Sequence, residues 1–206
     1  QAPLVPFDLT TLQVESYRCH RISPKETLEI AQELYTSGLI SYPRTSSQQL
    51  SDKIGYKKIL TELSKQKDYL KLTEKLLSKK ILKPNNGKKI DPAHPAIYPT
   101  GIEAKNLQER EKRVYDLIVK RFMSTFGDDA VRETMTIDIN CKKEIFIAKG
   151  TRTIEKGWHV FYEPYVKLEE EELPTANKSD EVNVKKINLH EKDTQPPKRY
   201  TPASII

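Results

Sequence analysis

Hydrophobic residues recur at helical spacing through the first 126 residues of the chain. The clearest helix is predicted over residues 22–38, where Ser23 and Glu26 stand at capping-box spacing and Pro24 presets the first turn. Gly38 is expected to end this helix in the left-handed conformation. The inward face of the helix is expected to carry Leu28, Ala31, Leu34 and Tyr35.

Three further helices are predicted after this one. Two lysine-rich segments, 55–66 and 68–80, precede a long amphipathic helix over 107–126. We expect Asn106 to cap that last helix, with Glu109 at the third position. The positions expected to face inward in the three segments are Ile59, Leu60, Leu63, Leu70, Leu76, Leu77, Leu107, Val114, Leu117, Ile118, Phe122 and Phe126.

The hydrophobic pattern changes to a period of two after Gly127. Residues 134–140 alternate polar with apolar side chains, which is typical of a half-buried strand. The acidic run Glu169–Glu172 is expected to lie in an exposed loop, since four adjacent carboxylates make a poor metal cage. The pattern therefore predicts an α+β protein, helix-rich first and β-rich afterwards, with further strands at 144–148, 158–165 and 181–189.

Composition limits the classes of protein that need to be considered. The 206 residues are 36% hydrophobic and 31% charged, and no apolar run approaches the ~20 residues of a membrane span. Cys19 and Cys141 are far apart and lack metal-ligand spacing, so we expect neither a disulfide nor a zinc site, and a reducing compartment. The chain does not open with Met and stops at Ile206, so we expect both ends to lie within a longer protein.

The positive charge is concentrated in the first part of the chain. Residues 1–126 contain 22 basic and 14 acidic residues, a net charge of +8, whereas residues 127–206 contain 13 and 15, a net charge of −2. Such an excess is typical of a surface that binds a polyanion. It is equally typical of the lysine-rich solvated surfaces of heat-adapted proteins, so charge alone leaves both interpretations open.

One short segment combines a nucleophile with a phosphate-binding group. Pro43 biases Tyr42 away from helical geometry, so Tyr42 and Arg44 are expected on one face of a loop or short strand. A tyrosine hydroxyl is a possible nucleophile, and a guanidinium can hold phosphate oxygens bidentately. Most such pairs are structural when they stand alone. Hydroxyls that could bind a neighbouring phosphate follow in Thr45, Ser46 and Ser47.

Two other segments contain candidate polar groups. His94 lies in a stretch with three prolines at 91–100, which favours a fixed orientation for a proton relay or a hydrogen bond to phosphate. An isolated His-Pro pair is more often a surface residue. Residues 196–206 place Arg199 beside two prolines, a pattern that alone indicates a basic linker.

Taken together, these segments resemble the type IA DNA topoisomerases, in their archaeal branch. The family motif around the nucleophile stands here as Leu39 to Ser47, and the family's His-x-Ala-Ile-x-Pro-Thr motif stands at 94–100. The opening Pro-Phe-x-x-x-x-Leu-Gln stands at 6–13, and Pro-Pro-x-Arg-Tyr-Thr-x-Ala-Ser at 196–204. Ser46 replaces an Asp of many bacterial members. Four motifs in order across nearly the whole chain make a specific match.

The resemblance implies a catalytic role for three residues and DNA contacts for four others. Tyr42 would attack a phosphodiester of one strand and become joined to the 5′ phosphate, Arg44 would stabilise the charge on phosphorus, and His94 would position or protonate groups there. Strand passage and religation would relax negative supercoils without ATP. The residues expected to contact DNA are Thr45, Ser46, Ser47 and Arg199.

The resemblance also implies a division of the chain and its partners. Residues 9–126 would form a helix-rich domain with a helix-turn-helix-like core carrying the tyrosine, and residues 1–8 with 127–206 would form part of a strand-rich arch. Mg²⁺ would be bound by the acidic Toprim domain of the family, which this chain lacks, so we expect no metal ligands here and no activity from the chain alone. We expect a cytoplasmic, nucleoid-associated monomer that acts on single-stranded or negatively supercoiled DNA and not on membranes.

Two other functions stay open at this point. The same region occurs in reverse gyrases, fused to a helicase-like half, and only sequence upstream of Gln1 would separate the two. A noncatalytic helix-turn-helix DNA-binding protein would account for the charge. It gives no reason for the motifs around His94 and Arg199.

Overall fold

The computed structural model describes all 206 residues and has a mixed architecture of helices and one small antiparallel sheet. This confirms the α+β class. A 3-10 turn at Asp52–Ile54 accompanies the helices α1 (Leu9–His20), α2 (Pro24–Thr36), α3 (Tyr56–Leu63), α4 (Leu70–Leu77), α5 (Glu109–Ser124) and α6 (His159–Tyr162), and the sheet consists of β1 (Val131–Cys141) and β2 (Glu144–Glu155). None of the helices has the length and apolar character needed to cross a membrane.

Helix α1, which the hydrophobic pattern did not predict, begins at a reciprocal cap. The Asp8 carboxylate accepts a hydrogen bond from the Thr11 backbone N–H at 2.7 Å, and the Thr11 hydroxyl accepts one from the Asp8 N–H at 3.1 Å. This satisfies two N–H groups that the start of a helix leaves unpaired. The first residue of the helix, Leu9, donates its N–H to the carbonyl of Thr45 at 3.0 Å, which ties α1 to the segment after Tyr42.

Helix α2 confirms the helix predicted over 22–38, with one difference at each end. The Ser23 hydroxyl accepts from the Glu26 N–H at 3.2 Å, but the Glu26 carboxylate pairs with Arg110 on α5 instead of returning to the cap. Gly38 ends the helix at φ +73° as expected. Tyr35 does not face inward, since it is 41% exposed, and Leu28 is only half-buried at the edge of an open groove. The residues buried in the middle of the helix are Thr27, Ile30, Ala31 and Leu34.

Helices α3, α4 and α5 lie within the three segments predicted for them. The expected cap of α5 was wrong by two residues, because Gln108 and Glu111 form the capping box, whereas Asn106 has a left-handed φ of 57°. Leu70 was also expected to face inward but is exposed at the first residue of α4. The predicted inward positions Val114, Leu117, Ile118 and Phe122 are all buried, and so are Tyr115, Val119 and Met123.

Residues 158–165 form helix α6 and a turn, so the strand predicted there was wrong. The aromatic residues of this segment recur at helical spacing, and all of them are buried in the same cluster as α5. Phe7, from the start of the chain, belongs to this cluster too, and the Arg121 guanidinium lies 4.3 Å from the centre of its ring. The buried aromatic residues of this segment are Trp158, Phe161, Tyr162 and Tyr165.

The hairpin of β1 and β2 confirms the strands predicted at 134–140 and 144–148 and extends both. Thr134 pairs with Thr151, and most side chains of both strands are exposed. The acidic run lies beside β2: Glu172 pairs with Arg152 at 2.9 Å. A Cβ at Gly150 would stand 2.4 Å from the carbonyl oxygen of Glu171, so only glycine allows this approach. The strand predicted at 181–189 was wrong, because those residues are exposed and have no regular structure.

Candidate functional site around Tyr42

Backbone hydrogen bonds join the segments that precede Tyr42 and follow His94. The Ser41 N–H donates to the Tyr98 carbonyl at 2.9 Å, and the Thr100 N–H donates to the Leu39 carbonyl at 3.0 Å. The Ser41 hydroxyl accepts from the Tyr98 N–H at 3.0 Å and donates to the carbonyl of Ala96 at 3.3 Å. Two of the sequence motifs therefore form one structural unit, and Tyr42 lies outside any helix, as Pro43 predicted.

Tyr42 lies between two other rings. Its ring centre is 4.7 Å from that of His94, with 41° between the planes, and 5.3 Å from that of Tyr35 in an edge-on arrangement of 70°. Tyr42 is half-buried, and the side chain of His94 is 41% exposed. The structure therefore brings together the two predicted catalytic residues Tyr42 and His94, and it adds Tyr35.

Asp91 holds the main chain that carries His94. One carboxylate oxygen accepts hydrogen bonds from the N–H groups of Ala93 at 2.9 Å and His94 at 3.2 Å, and the same oxygen lies 4.0 Å from Nδ1 of His94. The Ala93 N–H contributes most to holding the pKa of the Asp91 carboxyl below its usual value. Asp91 was not predicted as a site residue, although an Asp before Pro is a turn signal that could have identified it.

Arg44 is exposed and forms none of the ion pairs of the structure. It borders an open groove of about 660 Å³ along α2, which Lys25 lines together with Glu29 and Glu33. A guanidinium without an internal partner is available to bind an anion bidentately.

The three hydroxyl residues after Arg44 have different environments. Thr45 and Ser47 are buried, and their hydroxyls form hydrogen bonds within the loop. The Thr45 hydroxyl donates to the His94 carbonyl at 3.4 Å and accepts from the Ser47 N–H at 3.0 Å. The Ser47 hydroxyl accepts from the N–H of Gln49 at 3.1 Å. Ser46 is exposed. Among these three predicted DNA contacts, Ser46 has the hydroxyl-bearing side chain that reaches the surface.

Arg199 is the one predicted site residue that the structure does not bring to Tyr42. It lies in an exposed stretch without regular structure, and no hydrogen bond or ion pair links its side chain to residues 38–47 or 91–100.

The residues of this chain do not fit a magnesium site. No group of three or more His, Cys, Asp and Glu side chains is arranged to hold a metal ion. One carboxylate oxygen of Asp91 already accepts two backbone hydrogen bonds. Mg²⁺ requires near-octahedral oxygen ligands, usually from more than one acidic group or from phosphates.

Comparison with known proteins shows which family this sequence resembles. The sequence profile of the DNA topoisomerase family matches residues 1–206. DNA topoisomerase 1 of Methanocaldococcus jannaschii is 51% identical over 206 residues, covering 99% of this chain and 27% of that protein. DNA topoisomerase 1 of Methanothermobacter thermautotrophicus is 48% identical over 204 residues, covering 99% of this chain and 28% of that protein. Human DNA topoisomerase 3-alpha is 31% identical over 203 residues, 98% of this chain and 20% of its own length.

A solved structure shows the same similarity at the level of the fold. Full-length topoisomerase I from Thermotoga maritima superposes with a TM-score of 0.61 at 26% identity, over 85% of this chain and 29% of that one. The chain thus spans between a quarter and a third of the archaeal relatives and of this solved structure. The match over the whole chain shows that it belongs to the type IA DNA topoisomerase family.

Proposed function

We propose that this chain carries the nucleophile of an ATP-independent enzyme that breaks one DNA strand, passes another strand through the break and rejoins the first, relaxing negative supercoils. The observation that carries the proposal is the placement of Tyr42, in a non-helical loop against His94 and two residues before an unpaired Arg44. Membership of the topoisomerase family supports it.

In the proposed reaction the Tyr42 oxygen attacks a backbone phosphorus. The Tyr42 hydroxyl releases its proton as a tyrosyl O–P bond forms and the bond from phosphorus to the 3′ oxygen breaks. The 3′ oxygen takes up one proton in return and leaves as a 3′ hydroxyl, so the step is neutral in protons. Arg44 stabilises the negative charge that builds up on the phosphate oxygens. Attack by the 3′ hydroxyl on the phosphotyrosine reverses the step and restores Tyr42.

His94 acts at the same phosphate. Its imidazole is half-exposed beside the Tyr42 ring, while Asp91 holds its backbone, so it is able to donate a hydrogen bond or a proton to a group of the scissile phosphate. Ser46, with an exposed side chain, is the hydroxyl placed to bind a neighbouring phosphate. Thr45 and Ser47 support the loop from inside, and Arg199 contacts DNA at a greater distance from Tyr42.

The proposal also includes the division into domains, the location of the metal ligands and the oligomeric state that the family resemblance implies. Residues 9–126 form the helix-rich domain with a helix-turn-helix-like pair in α1 and α2, and residues 1–8 with 127–206 belong to the arch. The Mg²⁺ that the family uses has its ligands outside this chain, so none of the steps above depends on a metal held here. We expect a nucleoid-associated monomer.

The test is Tyr42→Phe in the full-length enzyme. The substitution removes one oxygen and almost no volume, so the fold is expected to survive while relaxation and the denaturant-stable protein–DNA adduct disappear and DNA binding persists. Tyr56→Phe is the matched control, because Tyr56 is buried in the helical core and no arginine stands two residues after it.

Three outcomes would contradict the proposal. Residual adduct in Tyr42→Phe would move the nucleophile elsewhere, and absence of an adduct from the unmodified enzyme would favour a noncatalytic DNA-binding protein. Relaxation of supercoiled DNA by this chain alone in the presence of Mg²⁺ would contradict the placement of the metal ligands outside it.

A further inference from the structure

Tyr35 contacts the ring of Tyr42, which its position in the sequence did not predict. It occupies the last turn of α2, where the hydrophobic pattern predicts an inward residue, yet it is 41% exposed. Its ring meets that of Tyr42 edge-on, with centres 5.3 Å apart. The Tyr35 hydroxyl forms no hydrogen bond within the chain. The side chain of Tyr35 therefore interacts with the site through its ring.

The two rings are held by different kinds of structure. Tyr42 lies in a loop, and side chains in loops are less confined than those on regular elements. Tyr35 projects from a helix that is fixed by the Ser23 cap, the ion pair of Glu26 with Arg110 and the buried Leu34. The rigid helix α2 therefore limits the movement of the Tyr42 ring on one side through Tyr35, and His94 limits the movement of the same ring on another side.

We propose that Tyr35 is a positioning residue that holds the Tyr42 ring against His94 and orients its hydroxyl for attack. This inference rests on the proposed function. An edge-on aromatic pair contributes modestly, and small misplacement of a nucleophile slows attack at an otherwise complete site. The effect depends on the ring of Tyr35 and not on its hydroxyl, so phenylalanine is expected to replace it.

The test compares three variants of the full-length enzyme in single-turnover cleavage of a single-stranded oligonucleotide at saturating concentration. Tyr35→Leu keeps bulk and helix propensity but removes the ring, and it is expected to slow cleavage by about threefold to tenfold. Tyr35→Phe keeps the ring and is expected to cleave at the wild-type rate. The matched control is Tyr17→Leu, which removes a half-buried tyrosine that stacks on Arg21 of the neighbouring turn.

Affinity for the oligonucleotide and melting temperature separate positioning from other roles. Tyr35→Leu is expected to bind DNA and to melt like Tyr17→Leu. Should it melt lower, Tyr35→Gln repeats the test with a polar helix former suited to an exposed site. A loss confined to DNA affinity would mean that Tyr35 stacks on a base and would overturn the inference, as would wild-type cleavage by Tyr35→Leu or an equal loss in Tyr35→Phe.

Tyr42→Phe, measured in parallel, keeps the two proposals distinguishable. Residual adduct in Tyr42→Phe would overturn the proposed function and the inference with it. Loss of the adduct in Tyr42→Phe together with normal cleavage by Tyr35→Leu and by Tyr35→Gln would overturn the inference alone.

Discussion

Three polar side chains around Tyr42 bind the backbone instead of facing solvent. Ser41 bonds to the main chain of the segment after His94, Thr45 to the carbonyl of His94, and Asp91 to the N–H groups of Ala93 and His94. Buried or half-buried polar groups that are satisfied in this way rigidify a loop. The backbone on which Tyr42 and His94 stand is therefore fixed, while the reactive ends of both side chains stay free.

His94→Ala in the full-length enzyme is the prediction that isolates the imidazole. The main-chain hydrogen bonds of the loop do not involve the imidazole ring. The free energy of unfolding of the variant is therefore expected to lie within about 1 kcal/mol of the wild-type value. Cleavage and relaxation are expected to fall by about a hundredfold, the typical loss for one polar group that acts on a transition state. His190→Ala, an exposed histidine of the C-terminal stretch, is the control. Unchanged rates with normal melting would reduce His94 to a structural residue.

At the residue scale the family resemblance predicted that Tyr42 and His94 act at one site, but not the contacts and exposure of the residues around them. Tyr42 and His94 could be paired because two motifs in order pointed to the same chemistry. The inward orientation of Thr45 and Ser47, the outward position of Tyr35 and the part played by Asp91 depend on how 39–47 packs on 91–100. Hydrogen bonding between distant segments leaves no periodic signal in either one.

Among the elements, the start of α1 connects most directly to the site. The Asp8 side chain, only 2% exposed, caps α1 and also accepts from Lys89 at 3.0 Å and Gln48 at 3.2 Å. Burial alone would raise the pKa of Asp8, but the hydrogen bonds from Thr11 and then those from Lys89 outweigh it and hold the pKa below its usual value. Leu9, the next residue, donates to Thr45, so the cap and the Tyr42 loop share one support.

Asp8→Ala is expected to lower the free energy of unfolding by about 1–2 kcal/mol, because it removes a helix cap and leaves Lys89 without its partner. Asp8→Asn keeps a capping oxygen and is expected to lose less at neutral pH. Chemical denaturation of the three proteins measures this order. Equal stability of Asp8→Ala and wild type would show that α1 needs no cap.

The same variants give a prediction for pH. Because the folded pKa of Asp8 lies below the unfolded value of about 3.9, its carboxylate contributes stability that is fully present above that value and is lost as pH falls through the folded pKa. Asparagine does not titrate, so the stability difference between wild type and Asp8→Asn is expected to shrink as pH falls below about 4. A difference that stayed constant down to the lowest pH at which both fold would contradict the assignment.

Helices with a clear amphipathic pattern were predictable, with side-chain caps in α2 and without them in α3 and α4, whereas α1 and α6 were not predicted. Ser23, Pro24 and Gly38 gave α2 its start and its end, whereas α1 was missed because its apolar pattern is weak, although Asp8 and Thr11 form a full capping box. Residues 158–165 were interpreted as a strand with the same period-2 pattern as 134–140. Burial against α5 on one side selects a helical period there instead.

Helix α5 lies at the centre of the core of the whole molecule. Residues from both predicted domains, the helix-rich one and the arch, pack in the same cluster as this helix. Phe7 from the first residues and Trp158 and Tyr162 from after the hairpin share a core with the helices. The guanidinium of Arg121 joins them, lying over the rings of Phe7 and Tyr162. The hairpin, in contrast, projects with most side chains exposed, so the helical body and the segments that flank it form the continuous part of this fold.

The positive charge of residues 1–126 is concentrated in a shorter segment of the chain, residues 52–90. Residues 52–90 contain 12 lysines and 4 acidic residues, a net charge of +8, which equals the excess of the whole 1–126 region. Three of these lysines form ion pairs, with Glu62, Asp8 and Asp128. The exposed lysines that form no ion pair are Lys53, Lys57, Lys58, Lys67, Lys71, Lys75, Lys80, Lys83 and Lys88.

Exposed lysines that form no ion pair are expected to bind the DNA backbone with a strong dependence on salt, and a comparison of two triple variants tests this. Lys57, Lys58 and Lys71 lie exposed on α3 and α4, and their replacement by Gln is expected to weaken binding to single-stranded DNA and to flatten the slope of log K against log[salt] by up to about 2, at about 0.7 per phosphate contact. The control removes the same charge from Lys143, Lys149 and Lys185, which lie outside residues 52–90, and is expected to leave the slope unchanged. Equal effects in both variants would mean that net charge governs binding, and no effect in either would leave the lysines as a solvated surface.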